Sequence, residues 1–179
     1  MKLISVIFVL LSYKNEIPEK SIVPYTEKFY NFNMEVVKDE LPFSSYNKKY
    51  KRYDASKILD YLKYRYPGKK VVALTSYDIY TAANGSENWG IFGLGSLTND
   101  VCVISTHRLK SRNLKHRVTS VVLHEIGHTY GLNHCTTDAK CLMKAGDHTA
   151  KSLDATPNYL CNDCKILIKC KRKPLKKTL

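Results

Sequence analysis

The sequence predicts an α/β fold, a largely parallel sheet with helices packed on it. Short continuous apolar runs alternate with stretches of helical periodicity over the first 130 or so residues, and Pro, Gly, Asn or Asp punctuates the changes. Composition agrees: with 44% hydrophobic and 25% charged residues, 179 residues suit a globular chain able to bury one core. A single domain over residues 1–179 is therefore expected. Its N-terminal part would run to residue 131 and its C-terminal part from 132 to 179.

The first apolar run, LISVIFVLL (3–11), has the Val/Ile-rich continuity of a strand buried on both faces. Lys2 and the length of the run also suit a signal peptide, although no small-x-small cleavage site follows, and the run is too short to span a bilayer. A strand is the reading adopted here, with a removed leader as the alternative. Pro18 opens a predicted helix to Phe32, interrupted by Pro24. MEVVK (34–38) reads as a second strand. Residues 39–53 read as a polar surface loop. Its YNKKYKRY segment interleaves aromatic and basic residues, a pattern that can also stack nucleic-acid bases.

Asp54 is placed to cap a helix over 55–66, with Ile58, Leu59, Leu62 and Tyr66 on one face. Pro67-Gly68 ends it. VVALTS (71–76) reads as a buried strand and Asn84-Gly85-Ser86 as a turn, its glycosylation-sequon match being short enough to arise by chance. WGIFGLGS (89–96) and VCVIST (101–106) read as two further strands. The helix that matters most follows at 114–130, free of proline, with an apolar face of Val118, Val121, Val122, Leu123 and Ile126. Gly131 stands where a left-handed cap belongs.

The net charge of +13 bears on solubility and encounter rather than fold. No nucleic-acid motif accompanies it, and the densest basic run, KCKRKPLKK (169–177), reads as a solvated tail. No specific nucleic acid and no membrane is expected as partner, and the chain is expected to act as a monomer.

Function is written in HEIGHTYGLNHC (124–135). His124 and His128 stand one turn apart on the same helix face, where two imidazoles reach one Zn²⁺. Glu125 points about 100° around the helix and so sits beside the metal, able to take a proton from a zinc-bound water. Gly131 lets the chain turn and bring His134 back as third ligand. Three neutral nitrogens leave a +2 metal with an open position, the arrangement that acidifies water and polarises a carbonyl. Ordinary polar residues on a helix are the plain alternative. Five fixed positions would meet by chance in well under roughly one in 10,000 chains of this length.

Six cysteines suit disulfides in an exported protein and metal binding in a reducing compartment. Their spacing is informative. Cys135 follows His134 directly, then come Cys141, Met143 in CLM, and Cys161 and Cys164 in CNDC. HEIGHTYGLNHC, CLM and CNDC together resemble the archaemetzincin family of metzincin metallopeptidases. Five residues separate Cys135 from Cys141 where the family usually has four; an extra loop residue costs little closure entropy, so no ligand should be lost.

The resemblance implies a metzincin-like fold with an antiparallel edge strand that takes extended peptide by β-augmentation. It implies a zinc peptidase acting on peptide or protein substrates, with two zincs. Catalytic zinc would sit on His124, His128 and His134, with Glu125 as general base, and structural zinc on Cys135, Cys141, Cys161 and Cys164. Lys140, Lys144 and Lys165 would offset the charge of the four thiolates. Met143 matches the Met-turn, an apolar floor under the catalytic metal. Ala145 stands where some metzincins have a tyrosine, so no fifth ligand is expected. Asp147 and His148 can bind metal by chemistry but read as surface residues. Cys102 and Cys170 are left as a buried and an exposed thiol. If residues 5–12 belong to the fold, the enzyme is cytoplasmic; a secreted, disulfide-bonded protease is the alternative. A zinc-stabilised binding module for an acidic partner or RNA is the competing function, against which Glu125 speaks.

Overall fold

Seven residues of the first apolar run form β1 (Ser5–Leu11), which lies inside the main sheet with a parallel neighbour on each side. The computed structural model describes residues 5–146 and 149–172. The neighbours of β1 are β2 (Asn33–Asp39) and β5 (Lys70–Thr75), and β5 pairs in parallel with β9 (Val101–Ser105). The short β8 (Gly93–Gly95) closes the five-stranded order β2-β1-β5-β9-β8 and is antiparallel to β9.

Alternation of side chains divides the core into two layers. Val6, Phe8, Leu10, Val72, Leu74, Cys102 and Ile104 pack with α3 (Leu114–Thr129) and α1 (Val23–Tyr30) on one face. Val9, Leu11, Val71, Ala73, Val101 and Val103 pack with Ala55, Ile58 and Leu62 of α2 (Ala55–Arg65) on the other. Parallel strands covered on both faces must be apolar throughout, which is why β5 is buried at every position. Asp54 caps α2, its Oδ1 accepting from the amides of Ser56 at 2.9 Å and Lys57 at 3.3 Å.

Three expectations are corrected. The helix predicted from Pro18 divides into a 3-10 turn (Glu19–Ser21) and α1. Pro24 falls in the first turn of α1, where its missing N–H has no intrahelical partner to lose. The segment 39–53 is not all loop, because it carries a second 3-10 turn (Phe43–Ser45), β3 (Tyr46–Asn47) and the start of β4 (Arg52–Asp54). These strands join β6 (Ile79–Ala83) and β7 (Ser86–Ile91) in a second sheet of order β3-β4-β6-β7. The β6–β7 hairpin turns at Asn84 and Gly85, both at positive φ (53° and 74°), as a two-residue hairpin turn needs. Finally, WGIFGLGS is not one strand. The chain leaves the second sheet at Ile91, bends at Phe92 and enters the main sheet at Gly93.

The interleaved tyrosines pack on one another: Tyr46 on Tyr53 (5.1 Å between ring centroids), Tyr53 on Tyr77 and Tyr50 on Tyr80 (both 5.4 Å). That pattern builds the second sheet. Cys102 is buried and Cys170, in α4 (Asn162–Arg172), is exposed. Asp147, His148 and most of the basic C-terminal run lie outside the described residues. No helix among the described residues is long and apolar enough to cross a membrane.

Candidate active site and metal centres

The active-site helix α3 ends in a cap that also aims a ligand. Gly131 has φ 73°, its N–H donates to His128 O at 2.7 Å, and Leu132 N–H donates to Gly127 O at 3.2 Å. The Leu132 carbonyl then accepts from His128 Nδ1 at 2.7 Å. Leu142 O accepts from His124 Nδ1 at 2.8 Å. Since a carbonyl can only accept, both Nδ1 atoms carry the proton and both Nε2 atoms present a lone pair.

Those two Nε2 atoms lie 3.1 Å apart, near the roughly 3.3 Å edge of a tetrahedron with Zn–N bonds of about 2.0–2.1 Å. His134 joins them, its ring 5.4 Å from that of His124 and 5.1 Å from that of His128, and the three ligand atoms all lie within 4.8 Å of one another. Burial pushes the pKa of His124 down to about 4 and that of His128 in the same direction, so both favour the neutral form. Converging lone pairs of this kind need a cation between them, and the donor set suits zinc.

Glu125 is 8% exposed, lodged between α3 and β8. Burial raises its pKa to about 8, opposed by a hydrogen bond from the Gly95 amide. The fit depends on glycine. A Cβ on Gly93 would meet Glu125 Oε1 at 2.8 Å; one on Gly95 would meet the Glu125 backbone oxygen at 2.5 Å and His128 Cβ at 2.8 Å. Gly95→Ala should therefore push the edge strand off the helix, costing about 1–3 kcal/mol as overpacking does. A urea melt unchanged from wild type would contradict this.

The four cysteines also come together. Cys135 and Cys161 Sγ lie 3.7 Å apart, and Cys141 and Cys164 Sγ 3.8 Å apart. A disulfide needs about 2.05 Å, whereas a tetrahedral ZnS₄ centre with bonds of about 2.3 Å has an edge of about 3.8 Å. All four sulfurs fall within 4.8 Å of one another, so the extra residue between Cys135 and Cys141 displaces neither. The longer loop is tied down instead: Cys141 N–H donates to Asp138 O (3.1 Å) and Thr137 Oγ1 to Asp163 Oδ2 (3.0 Å). A hydrogen bond from Thr137, foremost, lowers the pKa of Cys135 to about 6, while burial raises those of Cys141 and Cys164. Of the lysines expected nearby, Lys165 places Nζ 4.9 Å from the ring of Tyr159, and Lys144 is exposed and lines the active-site cleft.

One short segment serves both clusters. Cys141 belongs to the thiol group, the Leu142 carbonyl holds His124, and Met143 is fully buried under α3. A Cβ on Gly127 would lie 2.3 Å from Met143 Sδ, so the sulfur packs directly against the helix that bears the histidines. Cys135 N–H donates to Met143 O at 2.8 Å, which returns the chain after His134 to the same segment.

The family model of Peptidase family M54 matches residues 34–170, more than half the chain. The chain belongs to peptidase family M54, the archaemetzincins. It is 30% identical over 154 residues to the archaemetzincin of Nanoarchaeum equitans, covering 80% of this chain and 84% of that one. Its fold superposes on the crystal structure of archaemetzincin from Methanopyrus kandleri with a TM-score of 0.78 at 28% identity, covering 94% and 95% of the two chains. The archaemetzincin of Archaeoglobus fulgidus, crystallised with malonate, gives 0.78 at 26% identity over 92% of this chain and 99% of that one. As an archaemetzincin the chain is a zinc metallopeptidase, a hydrolase of peptide bonds.

Some contributors lie outside the motif. The far wall of the cleft is a 3-10 turn (Ser152–Ala155) clamped to α3. His116 Nε2 donates to Leu153 O at 3.0 Å, and Arg117 meets both oxygens of Asp154 at 2.7 and 2.6 Å. Arg117 holds the pKa of Asp154 at about 2. The folded value is depressed below the usual 3.9 or so, so this stabilisation is present above that value and is lost as pH falls through about 2. Asp154→Asn should thus melt below wild type at pH 6, the gap closing towards pH 2. A gap independent of pH would rule out the ion pair as its source.

Proposed function

We propose that this archaemetzincin cleaves peptides with Glu125 as general base and acid, with a catalytic zinc on His124, His128 and His134 and a second, structural zinc on Cys135, Cys141, Cys161 and Cys164. The carrying observation is the pair of inward-facing Nε2 lone pairs with a buried carboxylate beside them. Zinc in the histidine site would supply Lewis acidity towards the scissile carbonyl and acidify a water at its open position. The chain does the rest. Leu142 and Leu132 orient the ligand rings through Nδ1, and Glu125 takes the proton of the attacking water and hands it to the leaving amine. β8 offers its open edge to an extended peptide, fixing the scissile bond over the site.

The test is digestion of a proteome-derived peptide library by the zinc-loaded enzyme, with products read by mass spectrometry. Cleavage that stops on chelation and returns with zinc is expected, and its absence would refute the reading. Six thiols in place of disulfides suit the reducing cytoplasm. Alkylation trapping in extracts of the source cells should find no cystine, and a cystine would point to export.

A further inference from the structure

The cleft, about 470 Å³, runs from the histidines and Glu125 along β8 and β7 to Trp89 and Ala83. Its upper rim is the strand pair β7 and β8. Phe92 O accepts from Ser105 N at 2.8 Å and Ser96 N donates to Val101 O at 3.1 Å, with Leu94 opposite Val103 between them. Phe92, Leu94 and Ser96 therefore turn their peptide groups to β9. By alternation Gly93 and Gly95 turn theirs to the open edge, where the Glu125 carboxylate already accepts from the Gly95 amide.

Upstream the rim does not stop at Gly93. It continues through the bend at Phe92 into β7, which is itself an edge, paired among the described strands with β6 alone. Downstream the rim ends within a few residues, where Ser96 Oγ accepts from the amides of Thr98 and Asn99 in a tight turn.

The direction of the long arm follows from the packing. Gly93 lies against the Glu125 side chain and Gly95 against Glu125 O and His128 Cβ, so moving up the strand from Gly95 runs back along α3 towards Val121 and Ser120. There the rim residues Trp89 and Ile91 share the cleft with Leu153 of the clamped turn. Ionic contacts hold the β7 wall in place. A Cβ on Gly90 would lie 2.4 Å from Arg108 Cζ, so Arg108 lies across the strand, and it is fixed by Asp78 at 2.7 and 2.9 Å, which Arg52 also meets at 2.9 Å.

We propose that this arm binds the part of a peptide substrate that follows the scissile bond, with Trp89 as a specificity-determining contact. The proposal rests on the peptidase reading above. An antiparallel addition to β8, the more stable ladder, runs the substrate from Gly95 towards Gly93 and on to β7. Trp89 precedes Gly93 by four residues, at most about 13 Å at strand rise given the bend at Phe92, so a substrate with three to four residues beyond the cleaved bond is long enough to reach it. The favoured substrates are then peptides that continue at least that far, and aminoacyl-dye conjugates are poor ones.

Trp89 is the sole tryptophan in the chain, so its fluorescence reports the contact directly. One peptide cleaved from the library is resynthesised with one to five residues after the scissile bond. For the zinc-loaded wild type, kcat/KM should rise about tenfold, the equivalent of ~1.4 kcal/mol, as the third and fourth residues are added, and then level off. Trp89→Ala should remove that rise, acting through KM and costing the long peptides far more than the shortest; Trp89→Phe should restore part of it. The same peptides added to the zinc-loaded Glu125→Gln protein should change tryptophan emission only when long. A kcat/KM that ignores length, or an equal loss for short and long peptides in both variants, overturns the proposal. Binding of long peptides without cleavage by the wild type would instead overturn the peptidase reading alone.

Discussion

Glu125→Gln is expected to keep its full zinc content and to lose peptide hydrolysis by about 10²–10⁴-fold, the usual worth of a positioned acid–base group. The substitution is nearly isosteric, and that matters here. Glu125 fills a slot between α3 and two glycines of β8 so tight that one added carbon at Gly93 or Gly95 would collide with it. Glutamine fills the same slot without the ionisable oxygen, so lost activity would report chemistry and not collapse. Glu125 is also no member of the three-histidine ligand group, so metal analysis and activity should separate cleanly. A purely structural zinc site predicts the opposite, with no use for the carboxylate. Variant turnover within tenfold of wild type, at full metal content, would remove Glu125 from the mechanism.

Cys164→Ser should have the second large effect. It is expected to lower zinc from about two to about one per chain and to destabilise the C-terminal part by several kcal/mol, since binding energy at a structural zinc site is folding energy. The effect should not stay local. Cys164 and Cys141 are neighbours at 3.8 Å, and the residue after Cys141 carries the carbonyl that orients His124. Loosening that carbonyl frees the His124 ring, and the loss of such an outer partner typically costs 10–100-fold in metal affinity. Zinc titration with a competing chelator would therefore show the remaining site weakened, alongside a lower thermal midpoint. A variant that keeps two zincs, or whose catalytic zinc binds as tightly as before, would break the proposed link between the centres.

Sequence revealed the chemistry more fully than the architecture around it, for physical reasons. The histidines and Glu125 lie within one helix and its cap, so short-range spacing carries their geometry. β1, β5 and β9 announce themselves because strands buried on both faces can hold little else. The second sheet is not legible in the sequence because its strands are as short as two or three residues and owe their existence to partners far away, as with Tyr53 opposite Ile79. The break at Phe92 is hard to see for a related reason: Phe92 itself is an ordinary strand former, and IFGLGS has no proline to mark a change of sheet. The carbonyls of Leu142 and Leu132 left no trace, since any residue supplies a carbonyl. Gly93 and Gly95 did leave one. Two glycines alternating in a strand signal close backbone approach, here to Glu125.

The place of β1 in the sheet has a consequence for how the protein is made. Its parallel partner β5 leaves the ribosome roughly sixty residues after it, several seconds at about 5–20 residues per second. Throughout that interval SVIFVLL, a run without charge or proline, has at most one edge covered, by β2. Such a segment is prone to pair with other nascent copies of itself. The yield of folded enzyme should therefore depend on how long β1 must wait during synthesis for its second neighbour.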